Sequence, residues 1–149
     1  MGAAIARATG TGYGLAAVGL DVASGCVGVG LLAKAAKLDK VLDAARAAGR
    51  AVGAGRGAVH GTRVHTAMKT ALHGADDALS TEVSYLNGAI VKPGTKGSIR
   101  VDVVEGAVDN PGVIYDLKTG AAQWSLRRIE EIRRHLPFGG RGVTFVEVK

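Results

Sequence analysis

Gly112-Val113-Ile114-Tyr115-Asp116-Leu117-Lys118 is the stretch on which the fold turns. Aromatic and β-branched residues fill it and the turn residues Asp109-Asn110-Pro111 lead into it, which is the composition of a strand. Side chains alternate across a strand, so Asp116 and Lys118 share one face while Tyr115 and Leu117 take the other. Upstream, Ser98-Ile99-Arg100-Val101-Asp102-Val103-Val104 has the same period, with Arg100, Asp102 and Val104 on one face. Pairing the two strands with their polar faces aligned brings two carboxylates and an ammonium together. Such a set suits a hard divalent cation and an activated water.

Outward from these strands the chain punctuates itself. Residues 62–79 have helical spacing, with Val64, Met68, Ala71, Leu72 and Leu79 as core contacts and Thr62 as N-cap. Residues 82–86 read as a short strand, followed by the turn signal Asn87-Gly88 and a loop through Pro93-Gly94. With the strands carrying Asp102 and Asp116 this predicts a three-stranded antiparallel meander. Ser125 then caps a helix to about His135, whose buried stripe is Leu126, Ile129, Ile132 and Leu136. Pro137 and Gly139-Gly140 stop it, and residues 143–148 form a last strand. The order is helix, three strands, helix, strand.

The N-terminal third differs in composition. Many of the 23 glycines of the 149 residues fall here, among alanine, valine and leucine with sparse charge. Residues 31–48 suit an amphipathic helix, with Leu32, Ala35, Leu38, Leu42 and Ala45 recurring at threes and fours. Residues 49–57 (GRAVGAGRG) read as a flexible joint, and the domain boundary is placed there: 1–57 a glycine/alanine-rich, partly helical segment, 58–149 the folded domain. Residues 14–32 approach the length of a membrane span, but Asp21 near the middle would cost roughly 2.5–3.5 kcal/mol. Val22-Ala23-Ser24-Gly25-Cys26 imitates a lipoprotein cleavage box with only Arg7 as an upstream charge, so stable membrane insertion is not expected. Gly28-Val29-Gly30 imitates a dinucleotide fingerprint but lacks the preceding strand and the acid about twenty residues on.

The net charge of +6 and the isoelectric point near 9.8 favour an anionic partner: nucleic acid, a membrane surface or an acidic protein. The single cysteine, Cys26, excludes an internal disulfide and a cysteine-based zinc site.

A carboxylate on one strand with D-x-K on the next, within this element order, resembles the PD-(D/E)xK nuclease superfamily. The stretches Lys96-Gly97-Ser98-Ile99-Arg100-Val101-Asp102-Val103-Val104 and Ile114-Tyr115-Asp116-Leu117-Lys118-Thr119-Gly120 look like the restriction-endonuclease-type toxin domains that end bacterial polymorphic toxins and Rhs-type secreted effectors. The resemblance covers residues 60–149 and departs from the pattern in placing Val101, not proline, before the first aspartate. It implies an α/β fold with a restriction-endonuclease-like α-βββ-α-β core and a mixed sheet, preceded by the glycine/alanine-rich helical segment. It implies that Asp102, Asp116 and the backbone carbonyl of Leu117 hold Mg²⁺ or Mn²⁺, and that Lys118 meets the attacking water and scissile phosphate. Glu82, at the end of the first core helix or the start of the following strand, matches an acid often found there, binding metal or a metal-bound water, and Gln123 matches a position that is often polar. The implied activity is an endonuclease toxin cutting DNA, RNA remaining open, in the cytoplasm of a target cell after delivery from a bacterial producer. The implied partners are a cognate immunity protein and the remainder of a larger effector or its delivery chaperone.

Each residue also has a plainer reading. Asp116–Lys118 and Asp102–Arg100 could be structural ion pairs. Arg127–Glu131 and Glu130–Arg134 have the i,i+4 spacing of surface pairs, which leaves Arg128 and Arg133, with Arg100, for nucleic acid. His60, His65 and His73 are spaced by five and eight and do not form a metal set on one helical face; His65 is the one placed to approach a substrate. Trp124 reads as a core anchor. Rival functions are a repair or resolvase-type nuclease, which needs no immunity partner, and a non-enzymatic module that binds a membrane or a partner through its N-terminal segment.

Overall fold

The strand predicted from residues 112–118 forms as β5 (Asn110–Leu117) and runs inside a sheet, with a neighbour on each side. The structure, a computed structural model, describes residues 5–8, 37–119 and 122–149. In chain order the other elements are β1 (Ile5–Ala8), α1 (Leu38–Val52), α2 (Gly57–Leu72), β2 (Leu79–Leu86), β3 (Ala89–Val91), β4 (Ile99–Ala107), α3 (Leu126–His135), a 3-10 turn (Pro137–Gly140) and β6 (Thr144–Val148). The sheet order is β1-β6-β5-β4-β2-β3. The antiparallel meander is there as β2, β4 and β5. β6 lies parallel to β5, a pairing that needs a crossover, and α3 supplies it. The chain is α/β with a mixed sheet.

Helices cover both faces of this sheet. Val103, Val113, Tyr115, Leu117, Val146 and Val148 pack under α1 and α2. Val104, Ile114 and Phe145 pack under Ile129, Ile132 and Leu136 of α3. Burial on both faces explains why β5 and β6 are almost unbroken apolar runs. The N-cap forms as expected, with Ser125 Oγ accepting from the Arg128 backbone N–H at 3.2 Å.

Several expectations are corrected. Residues 5–8, expected within a helical segment, form a strand that pairs parallel with β6, Ile5 opposite Phe145. The edge of β6 offers unpaired backbone groups, and they outweigh the helical preference of alanine. After Asn87-Gly88 the chain turns straight back as β3 instead of entering a loop. Both turn residues have positive φ, 49° and 86°, which is what a two-residue hairpin requires.

The helix predicted for residues 31–48 runs over Leu38–Val52, through Gly49, and ends at Gly53, whose φ of 76° suits a C-terminal glycine. Its buried face is Val41, Ala44, Ala45 and Ala48, which belong to the same core as α2, β5 and β6. Small alanines let α1 and α2 approach closely, and that packing outweighs the cost of one glycine. Asp76, after α2, clamps the pair by accepting from Lys40 Nζ at 2.7 Å and Lys37 Nζ at 2.9 Å. The boundary expected at Gly57 therefore falls between two helices that share one core.

α2 starts before Thr62, whose hydroxyl donates back to the Ala58 carbonyl at 3.0 Å, so Thr62 is not its cap. It stops at Leu72, and Leu79 opens β2. Leu126 is 63% exposed, so the buried stripe of α3 is Ile129, Ile132 and Leu136. At the first helical position its side chain projects beyond the sheet. Leu126→Ser is expected to leave the urea midpoint nearly unchanged, whereas Ile129→Ala should cost about 2–5 kcal/mol. Asp21, Cys26, the Gly28-Gly30 fingerprint, Leu32, Ala35 and Gly120 lie outside the described residues.

Candidate active site

β4 and β5 place Asp102 and Asp116 together. Val103 pairs with Tyr115, which leaves Asp102 and Asp116 each one residue beyond that pair on neighbouring strands. Continuing across the sheet, Asp116 pairs with Glu147 of β6, while Thr81–Val103 and Val83–Val101 flank Glu82 and Asp102 on β2 and β4. Four carboxylates thus occupy adjoining positions on four strands. Glu82 interrupts its ladder with a φ of 53°, a left-handed conformation that costs a non-glycine residue on the order of 1–3 kcal/mol. At the same point Val101 and Val103, two residues apart, pack in opposite cores. The break in alternation turns this part of the sheet toward a cleft.

That cleft, of about 640 Å³, is lined by His65, Glu82, Arg100, Asp102, Asp116 and Arg128 among others. Asp102 Oδ2 accepts the Leu117 backbone N–H at 2.8 Å, and Oδ1 accepts from His65 Nδ1 at 3.1 Å. Asp116 Oδ2 lies 2.5 Å from Lys118 Nζ and also accepts from the Trp124 indole N–H. Glu82 accepts from Lys69 Nζ at 2.9 Å, with Arg100 at 3.9 Å. Lys69 stands one turn after His65 on α2, so that helix presents a histidine and a lysine to two of the acids.

Burial pushes the Asp116 carboxyl above the usual range, Lys118 opposes this, and the charge of Asp102 adds to it. Two carboxylates this close call for positive charge between or beside them. His65 is raised above 6.5 first by its hydrogen bond to Asp102, against the lowering effect of its own burial. The sign follows from linkage: a raised histidine contributes stability fully below its unfolded value of about 6.5, and loses it as pH rises through the folded value. The gap in melting temperature between the wild-type chain and His65→Ala should therefore narrow from pH 6 to pH 9 in thermal melts.

The structure brings Glu82, Asp102, Asp116, Lys118, Arg100 and His65 to one place. It separates others. Gln123 is exposed and outside the cleft lining. Arg128 lines the cleft but is paired with Glu131 at 2.8 Å, an i,i+3 contact that displaces the expected Arg127–Glu131 pair. Arg134 reaches the Glu130 backbone carbonyl at 3.4 Å. Arg133 lies over the Phe145 ring at 5.2 Å and is half-buried, so its position on α3 points partly toward the sheet. His60 and His73 stand apart from the cleft lining, so the histidines do not gather. Arg100 also lines the cleft, its side chain 58% exposed.

Three contributors escaped the sequence reading. Lys69 balances Glu82, Trp124 donates to Asp116, and Glu147, 1% exposed, accepts the Trp124 backbone N–H at 2.8 Å. A signal existed for two of them: a buried indole N–H takes a partner, and Glu147 is the lone charge between Val146 and Val148 of an apolar strand.

Among the described residues, no three His, Cys, Asp or Glu side chains stand close enough to form a ready metal set. Asp102 and Asp116 nevertheless fit a hard cation by chemistry: both are oxygen donors on one cleft, and their mutual repulsion is relieved by positive charge. Leu117, the third expected ligand through its carbonyl, is tied to the pair through its N–H. Among the described residues no helix is long and apolar enough to cross a membrane. No protein-family model, curated protein or solved structure matches the chain.

Proposed function

We propose that the chain is a divalent-cation-dependent endonuclease, a toxin domain of the PD-(D/E)xK type that hydrolyses phosphodiester bonds in DNA. The observation that carries this reading is the meeting of Asp102 and Asp116, from two adjacent strands, at one cleft, with Lys118 Nζ 2.5 Å from Asp116 Oδ2. The order α2-β2-β4-β5-α3-β6, with β6 parallel to β5, supports a restriction-endonuclease-like core.

Asp102 and Asp116 would hold Mg²⁺ or Mn²⁺, with the Leu117 carbonyl beside them and Glu82 on the flanking strand. The cation supplies Lewis acidity and neutralises phosphate charge. The chain's own groups do the rest. Lys118 Nζ, released from Asp116, hydrogen-bonds the attacking water and a non-bridging phosphate oxygen, where negative charge grows. Water gives up a proton to solvent as it adds to phosphorus, the P–O bond to the leaving deoxyribose oxygen breaks, and that oxygen takes a proton from solvent. His65 donates to the phosphate from its second ring nitrogen while Nδ1 stays with Asp102. Arg100 neutralises a neighbouring phosphate, which positions the strand without reading its sequence. In this account Gln123, Arg128 and Arg133 carry no more than secondary roles.

The toxin part of the proposal implies an immunity protein in the producing cell, acidic where it meets this basic chain. It also implies delivery as part of a larger effector, with action in the recipient's cytoplasm. The test is incubation of the full 149-residue chain with closed-circular plasmid and MgCl₂, beside Asp102→Asn. Nicking by the wild-type chain and not by the variant is expected; equal nicking by both overturns the assignment. Growth arrest on cytoplasmic expression, relieved by that substitution, separates a toxin from a repair nuclease.

A further inference from the structure

We infer that Trp124 is a positioning residue that holds both Asp116 and Lys118 in their working geometry. The inference rests on the nuclease reading of the cleft. Trp124 enters α3's capping turn immediately before Ser125 and is 5% exposed. Its indole N–H donates to Asp116 Oδ2, and Lys118 Nζ lies over its ring at 5.9 Å. One side chain thus addresses the two residues differently: its polar edge meets the carboxylate and its π-face meets the ammonium.

The indole is itself fixed from two further sides. Its ring meets Phe145 edge-on, with centroids 5.3 Å apart and planes at 62°. Its backbone N–H is held by Glu147, the residue paired with Asp116 across β5 and β6. The anchor and the residue it orients are therefore neighbours in one register. A buried tryptophan that served only as filling would satisfy its N–H on any carbonyl; this one spends it on the acid of the D-x-K strand. With Oδ2 engaged by Trp124 and Lys118, Asp116 keeps Oδ1 for a cation. With Asp116 engaged elsewhere, the indole face would give Lys118 a second resting place beside the site.

Outer partners of this kind change metal affinity or activity by about 10–100-fold when removed. Trp124→Phe deletes the N–H while keeping an aromatic ring against Phe145 and the backbone contact to Glu147. In calorimetric titration of the full chain with MnCl₂, it should bind about 10–100-fold more weakly than the wild-type chain, with circular dichroism confirming that it is folded. A second readout needs no tryptophan variant. Trp124 is the only tryptophan, so the wild-type chain's intrinsic fluorescence should change on titration with MgCl₂, and the change should vanish in Asp116→Asn. Wild-type Mn²⁺ affinity in Trp124→Phe, or binding by the wild-type chain with no fluorescence response, overturns the positioning role alone. Absence of cation binding by the wild-type chain overturns the nuclease reading and this role with it.

Discussion

Asp116→Asn is expected to abolish cleavage, by about 10²-fold or more, while raising the melting temperature at pH 7. The two effects share one cause. Asp116 is held above the ordinary carboxylate range by burial and by the charge of Asp102, with Lys118 and Trp124 compensating only in part. A carboxyl raised in the folded state keeps its proton to higher pH than in the unfolded state. Stability therefore falls as pH climbs from about 3.8, the unfolded value, through the folded value. The charge that would let Asp116 hold a cation is a charge the fold would be more stable without. An asparagine removes that loss, so its melting temperature should vary less between pH 4 and pH 7 than that of the wild-type chain. Melting curves across that range, paired with the nicking assay, check both halves. An asparagine variant that melts lower and still cuts would contradict the assignment.

The second large effect concerns α1. Val41→Asp should leave the chain without a cooperative thermal transition. Val41 is 0% exposed and shares a core with Leu72, Tyr115 and Val148. A buried charge without a partner costs about 3–5 kcal/mol, against a total of about 5–15 kcal/mol for a typical domain. Truncation to residues 58–149 should do at least as much, because it uncovers Val64, Met68 and the α2 face of the sheet together. A truncated chain with a sharp transition at the temperature of the full chain would show that α1 is an accessory and not part of the domain.

Much of the architecture was legible because strong local signals agreed. The Ser125 cap and the alternation along β5 each specify local geometry without outside help, whereas the turn expected at Asp109-Asn110-Pro111 falls at Val108-Asp109, with Asn110 and Pro111 already paired in β5. What failed depended on partners distant in sequence. Residues 5–8 are strand because β6 has a free edge, and nothing in Ile5-Ala6-Arg7-Ala8 announces it. Gly49 stays helical because the alanines of α1 fit α2. Leu126 and Arg133 exchanged roles for a geometric reason: the sheet lies beneath the middle and end of α3, so the first leucine overhangs it and an arginine lies across Phe145.

The candidate site divides the same way. Asp102, Asp116 and Lys118 could be found by strand period alone, since adjacent strands bring equal parities together. Their supports could not. Lys69 reaches Glu82 from a helix, Trp124 reaches Asp116 from just ahead of α3, and Glu147 arrives from a strand paired by crossover. His65 was placed near a substrate by position on its helix, but its direct bond to Asp102 required knowing how α2 lies on β4.

The central claim is that these side chains form a cation-dependent phosphodiesterase. The most direct measurement is conversion of supercoiled plasmid to its nicked form by the purified full chain, titrated with MgCl₂ and then quenched with EDTA. The account predicts nicking that rises with Mg²⁺, stops on chelation and is absent in Lys118→Ala. No nicking at any Mg²⁺ or Mn²⁺ concentration, or nicking that survives EDTA and the Lys118 substitution alike, would contradict it.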